Sequence, residues 1–420
     1  MGSYEAVKVR LDPTPRQGRL MASHAGAARF AYNAGLAHVK EALDNGESPD
    51  WSHYALLRWW NANKDTLAVN PDTGVVWWGQ NSKESYNMAL YGLARGFSNW
   101  SKSRKGQRKG RRIGFPRFKS KNAVAKFAYS TGFTAPKASD PYGLKLPRIG
   151  RVHCMENVYR LLAGARLIRI TVSRRAGCWY ASLTVEREQS PSPVCTPKGG
   201  AVGVDLGVKN LATLSDGTVI ANPRALGTRL KALRKAQKAL SRKVKGSARR
   251  EKAKERVARL HARVADVRAD AIHKATTMIA RNYSVVCVED LHVAGMVKNR
   301  HLAKSISDAA FGEFRRQLEY KTARSGAALH VVDRWYRSSK TCSGCGEVKA
   351  KLSLSERTYR CDSCGLVLDR DLNAAINICV AGSAPETLNA HGATVRRGGH
   401  TGRATRVSVK CEPSRRRKAP

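Results

Sequence analysis

Acidic side chains are the scarce class in this 420-residue chain: 32 Asp and Glu stand against 76 Lys and Arg, for a formal net charge of +44. So little acid beside so much base points to a polyanion partner, because Lys and Arg that neutralise phosphates release counterions on binding. Long apolar runs are missing as well. Nothing approaches the ~18 consecutive residues of a membrane span, and no charged-then-apolar leader opens the chain. Membrane attachment and secretion are therefore not expected. Paired cysteines are few: of ten, only four fall in CxxC pairs, and Cys154, Cys178, Cys195, Cys287, Cys379 and Cys411 are scattered. That is the usage of a reducing compartment with one metal site, not a secreted disulfide framework. The length suits two or three domains and a sizeable core.

The chain reads first as a strand at 5–11, a break at Pro13-Thr14-Pro15, and a helix over about 16–43. Residues 50–100 carry six of the eight tryptophans and read as two helices broken near 70–74. Residues 101–121 hold ten basic side chains and no acid. Strand-like segments follow at 125–130, 143–152, 166–174 and 178–187, the last two as a hairpin around Arg175-Ala176-Gly177. The Ser- and Pro-rich stretch 190–197 is the main boundary. Beyond it come strands at 201–206, 209–215 and 218–221, then two basic helices with matching apolar seams broken at Gly246-Ser247, a helical hairpin. A strand at 284–289, a helix at 303–324, a strand at 328–332 and a helix at 371–380 complete the pattern, and the last forty residues lack any apolar period.

Cys342, Cys345, Cys361 and Cys364 follow C-x2-C-x15-C-x2-C. Each CxxC sets two thiolates on one tight turn, and two such turns complete a tetrahedron around Zn2+. With all ligands cysteine no position is left for water, so this zinc is structural. Three acids stand out against the basic background. Asp205 ends the apolar run AVGVD, Glu289 ends SVVCVE, and Asp371 opens a short helix. Carboxylates at strand tips and a helix start can converge on two Mg2+ ions roughly 3.5–4 Å apart, the ribonuclease H-like solution to phosphodiester hydrolysis. Each has a plainer alternative: Asp205 as a turn former before Gly207, Glu289 as an arginine partner, Asp371 as a helix N-cap, with Asp369 competing for either role.

Arg111, Arg112, Arg117 and Lys119 in the basic stretch, and Arg234, Lys238 and Arg242 on the first hairpin helix, are candidate nucleic-acid contacts; a disordered basic loop and a solvated face are the alternatives. Gln80, Asn81 and Lys83 open a helix and carry side chains able to read base edges. The tryptophans suit either base stacking or a helical core.

Together the segments GVDLGVKNLATLSDG, VVCVEDLHVAGM, RSSKTCSGCG and LSLSERTYRCDSCGLVLDRDLNAAINI resemble the RuvC motifs and zinc module of the TnpB family of transposon-encoded RNA-guided nucleases and of the compact type V CRISPR effectors. RLDPTPRQ, ARFAYNAGL, GFSNW and GFPRFKSK resemble the family's front-half segments. The resemblance implies a multidomain α/β plus β-barrel fold: a wedge strand (1–15), a helical recognition insert with the basic loop (16–122), the rest of a wedge β-barrel (123–189) and a linker (190–199). A RuvC nuclease domain with the helical hairpin 224–282 (200–335), a zinc ribbon (336–367), a final RuvC helix (368–381) and a basic tail (382–420) follow. It also implies that Asp205, Glu289 and Asp371 are the catalytic acids and Mg2+ ligands; within the third motif the family acid lies two residues before Asn373, which selects Asp371 over Asp369. A guide RNA and double-stranded DNA would be the partners, and the setting the prokaryotic cytoplasm. An RNA-guided repressor that does not cut, and a DNA transposase, are the rival readings.

Overall fold

A computed structural model of the chain describes residues 3–383 apart from 122, 188–196, 198 and 354. The expected linker and the basic tail therefore lie almost wholly outside the described residues. The chain forms two compact units, one comprising Met1–Pro193 and Ala225–Val267, the other Val194–Arg224 and Arg268–Pro420.

The first unit begins with β1 (Ser3–Asp12) and the 30-residue α1 (Pro15–Asp44). The PTPRQ sequence accounts for the helix start: Thr14 and Gln17 form a reciprocal capping box, and Pro15 sits where a missing N–H costs nothing. After α1 come α2 (His53–Leu67), α3 (Lys83–Arg104), β2 (Lys126–Tyr129), β3 (Gly143–Leu146), β4 (Gly150–Cys154), α4 (Val158–Leu161), β5 (Ala165–Arg175) and β6 (Cys178–Arg187). The strands form one sheet in the order β2-β5-β6-β1-β4-β3. Small residues let α1 serve two cores. Ala25 and Ala28 pack on the sheet, while Ala27, Ala31 and Leu36 pack against α2 and α3. The run 143–152, expected as one strand, is a hairpin instead, turned by left-handed Arg148 (φ 63°) and Gly150 (φ 87°). The expected barrel is incompletely closed: edge strands β2 and β3 share no ladder, and one bridge, Thr134 to Lys145, joins the chain beyond β2 to β3.

After β7 (Gly199–Asp205), β8 (Asn210–Leu214) and β9 (Val219–Ala221) of the second unit come α5 (Ala225–Ser241) and α6 (Ala248–Asn282). These make the expected hairpin, sealed by Leu233 and Val264. The stretch up to Val267 groups with the first unit, not with the nuclease half in which the hairpin was expected. Within that unit Arg174 and Arg175 of β5 pair with Glu255 and Asp266 of α6.

The second unit continues with β10 (Tyr283–Glu289), α7 (Val293–Met296), α8 (Ala303–Ala309), α9 (Phe311–Ser325), β11 (Ala328–Val332), β12 (Thr358–Arg360), β13 (Val367–Asp369) and α10 (Arg370–Ser383). Its main sheet runs β11-β10-β7-β8-β9, with β7, β10 and β11 mutually parallel. The helix expected over 303–324 is two helices, because Ala310 adopts the left-handed conformation (φ 54°) between α8 and α9. One sheet face packs through Val202, Val204, Val286 and Val288 against α6, α8 and α9. The other lies under α10, where Ile378 meets Cys287 and Val332.

Candidate functional site

Strand alternation decides where the acids point. Val204 pairs with Val288, so Asp205 and Glu289 are the next residues on adjacent parallel strands. Side chains alternate faces along a strand. Asp205 therefore shares the face of Gly203, and Glu289 that of Cys287. Both faces are the one α10 covers: a Cβ at Gly203 would sit 1.9 Å from the Ala375 carbonyl oxygen, and one at Gly382 would sit 2.5 Å from Cys287 Sγ. Asp371 lies one helical turn before Ala375. The three acids thus gather at the carboxyl edge of the parallel strands, where open α/β sheets bind ligands. All three are half-buried. Burial first, and then the charges of Asp371 and Glu289, push the Asp205 carboxyl up to about 7, with Arg370 opposing. Glu289 is raised by burial and by Asp290. The carboxylate oxygens do not all lie within 4.8 Å of one another; among the described residues only the four cysteines bring ligand atoms that close.

Hydrogen bonds give the N-cap role to Asp369. Asp369 Oδ1 accepts from the backbone N–H groups of Asp371 (2.9 Å) and Leu372 (3.2 Å), capping α10 and leaving the Asp371 carboxylate for other work.

In the knuckle, Cys342 Sγ lies 3.6 Å from Cys364 Sγ, and Cys345 Sγ lies 3.6 Å from Cys361 Sγ. A tetrahedron of Zn–S bonds near 2.3 Å implies sulfurs about 3.8 Å apart, so the cage fits zinc. Gly346 (φ 79°) and Gly365 (φ 73°) turn the two loops, each returning its N–H to the first cysteine's carbonyl. Backbone N–H groups of Cys364 and Ser363 lower the Cys361 thiol, while the neighbouring sulfurs raise Cys345, so the four share one negative charge unevenly until a cation joins them.

Two asparagines of the third motif, Asn373 among them as its landmark, have a role the sequence reading did not assign. Asn373 and Asn377, both buried, donate to the Thr341 carbonyl at 2.8 and 2.7 Å, and Asn373 Oδ1 accepts from Ser343 N–H at 3.0 Å. They fasten the first knuckle loop to the helix that carries Asp371. One turn apart on a helix, they face the same way. Asp290, beside Glu289, is bonded by Arg315 and Arg334; these outweigh its burial and hold it ionised below the usual carboxylate range.

The nucleic-acid candidates divide. Arg111, Arg112, Arg117, Lys119, Arg234, Lys238, Arg242, Gln80 and Lys83 are exposed. Their stretch is anchored, not loose: Phe115 packs on Phe97 and Trp100, and the Asn33 amide brackets the Lys119 backbone through both N–H and C=O. Lys119 itself sits over the Tyr32 ring at 3.4 Å, and desolvation with Lys126 nearby lowers its ammonium to about 8. Asn81 departs from its expected role: it is 4% exposed and its oxygen accepts from Ser23, so it offers nothing to a base edge. The tryptophans of the helical region pack into its core, Trp60 fully and Trp51, Trp59, Trp77 and Trp78 in part.

Family profiles match three stretches: "Probable transposase" at residues 182–300, "Cas12f1-like, TNB domain" at 311–378, and "Helix-turn-helix domain" at 1–48, where the described residues form β1 and the single long α1. Among curated relatives, a "Putative RNA-guided DNA endonuclease" of Mycobacterium tuberculosis H37Rv is 38% identical over 94% of this chain and 90% of its own. One from Streptomyces pristinaespiralis is 36% identical over 98% and 96%, and InsQ of Escherichia coli K12, of the same description, 32% over 91% and 94%. A Cas12f1–sgRNA–target DNA complex aligns with a TM-score of 0.49 at 14% identity, covering 90% of this chain and 99% of that one.

Proposed function

The chain belongs to the TnpB-like family, in which the relatives above carry the name "Putative RNA-guided DNA endonuclease", and on that premise we propose that it is an RNA-guided DNA endonuclease, with Asp205, Glu289 and Asp371 as its cutting site. One observation carries the residue assignment: β7, β10 and α10 aim three carboxylates at one sheet edge, and the charges of the other two help hold Asp205 well above an ordinary aspartate. Such an excess of negative charge suits hard divalent cations with oxygen ligands, as Mg2+ is. Bound there, a pair of Mg2+ ions supplies an activated water and stabilises the leaving oxygen. The chain's own residues do the rest. Asp205 and Glu289 are held by the ladder, Asp371 by α10, and Arg370 offsets part of their repulsion. In chain order the five strands of this unit's main sheet lie 5-4-1-2-3, which supports the ribonuclease H-like reading of the domain. The knuckle cysteines would hold one structural Zn2+. The exposed basic residues of 104–121 and of α5 would follow RNA and DNA backbones, while base pairing by the guide reads sequence.

The matching "Probable transposase" description keeps a second reading in play, strand transfer without RNA. One assay separates them. Guide-loaded protein with Mg2+ and a matched plasmid should give cut DNA, and Asp205→Ala should abolish cutting while sparing RNA binding. Cutting by Asp205→Ala at the wild-type rate overturns the assignment, and joined products formed without RNA favour the transposase.

A further inference from the structure

Trp335 is 83% exposed, more than any other large apolar side chain among the described residues. The other seven tryptophans are buried or half-buried. One exposed apolar side chain is ordinary on a protein surface, so the inference rests on where this ring stands and on what flanks it.

Its surroundings say which ligand. Trp335 follows β11, whose last residue, Val332, pairs with Glu289; the Asp290 N–H also donates to the Val332 carbonyl at 3.0 Å. Three residues of chain span at most about 10 Å, so the Trp335 backbone lies within that reach of the strand end that carries Glu289. The turn is pinned on every side. Trp335 N–H donates to Asp333 Oδ1 at 2.8 Å, and Tyr336 N–H donates to the Asp333 carbonyl at 3.0 Å. Arg334 pairs with Asp290, and the half-buried Tyr336 packs against Cys287, Val332 and Ile378. An exposed ring on a pinned backbone, next to the exposed Arg337, is the composition of a single-strand platform: the ring stacks on a base and the Arg337 cation meets its phosphate, while Arg334 stays paired with Asp290. Duplex DNA keeps its base faces stacked inside, so the ligand class is an unpaired nucleotide.

We infer that Trp335 is a positioning residue that stacks on an unpaired base of the DNA strand entering the Asp205–Glu289–Asp371 site. The inference rests on the nuclease reading above. It is sequence-tolerant, since every base offers a π-face, and it acts on strand placement, not on the acids.

The test uses guide-loaded protein and short single-stranded DNA carrying 2-aminopurine, whose fluorescence is quenched by stacking. In buffer without divalent cations, wild type and Trp335→Phe should quench and Trp335→Ala should not. With Mg2+, Trp335→Ala should raise KM for strand cutting by roughly 5- to 150-fold, the range of one stacking contact, with kcat nearly unchanged and most of the loss recovered by Trp335→Phe. If Trp335→Ala melts early, Trp335→Leu set against Trp335→Phe makes the same comparison. Unchanged quenching and KM in Trp335→Ala, or a fall in kcat alone, overturns the inference while cutting that depends on Asp205 leaves the nuclease reading intact. Quenching that follows Trp335 in a protein that cuts nothing has the opposite meaning: the platform stands and the nuclease reading falls.

Discussion

The knuckle and the acidic edge lie in the same unit and both suit metal, yet they are built in opposite ways. Four sulfurs stand within 4.8 Å of one another before any ion is considered, held by two glycine turns and backbone N–H groups. The three carboxylates share a face but stay apart, and Asp205 is driven up to about 7 largely by burial and by its companions. A closed, soft, preformed cage fixes structure. An open, self-repelling, oxygen-lined edge suits hard cations with positions left for reactants. The two are joined mechanically, since Asn373 and Asn377 tie the knuckle to the helix of Asp371.

The comparison breaks most completely if the cage is removed. Zinc in small structural sites contributes about 10–16 kcal/mol of apparent binding free energy that doubles as folding free energy. Cys361→Ser should therefore lose zinc, expose 336–369 to proteolysis and abolish cutting, because α10 loses its partners at Ser338 and Thr341. Zinc content, limited proteolysis and plasmid cutting check this. Asp205→Ala should leave zinc and proteolytic resistance untouched. If both variants unfold alike, the cage and the edge are not distinct in the way argued here.

A smaller effect tests the packing that brings Asp371 to the sheet. Gly203 lets α10 approach so closely that an added Cβ meets backbone, not a movable side chain, at 1.9 and 2.5 Å. Gly203→Ala should cost roughly 1–3 kcal/mol as overpacking, read by denaturant unfolding, and should depress cutting while zinc content stays at the wild-type level. A neutral result would mean α10 can lift off without penalty.

How much of this was visible beforehand follows from range. The knuckle was legible because its ligands are close in sequence and their spacing is itself the chemistry. The acids were legible as strand ends, and the strand alternation behind them is local. Which of Asp369 and Asp371 caps the helix was not decidable from residue types alone, since either carboxylate can accept from a first-turn N–H. The break at Ala310 had no glycine or proline to announce it. The hairpin at 143–154 carried a signal in Pro147 and Gly150, but the apolar residues on either side, Leu144, Leu146 and Val152, keep one alternation across the turn and read as a single strand. Asn81 read as polar and available, but its burial depends on Ser23, 58 residues away. The tryptophan count pointed at the helical region, where the rings turned out to be core, and away from Trp335, which stands alone in sequence and is exposed.

The subtlest difference between the two sites is their response to pH without Mg2+. Asp205 ionises near 7 in the folded protein against an ordinary value of 3.8. The native state thus binds a proton more tightly than the unfolded chain across that interval, and linkage makes its stability fall as pH rises through it. This is the reverse of an ion-paired aspartate such as Asp290, whose lowered pKa contributes stability that is lost on acidification. In Mg2+-free buffer the melting temperature of the wild type should decline from about pH 4 to 7 relative to Asp205→Asn, which has no proton to lose. Adding Mg2+ should reverse the trend, since the cation binds the ionised carboxylates and its stabilising effect grows as they become available. Parallel curves for the two proteins, with and without Mg2+, would mean that Asp205 does not feel its neighbours, and the acidic edge would then be three separate side chains instead of one site.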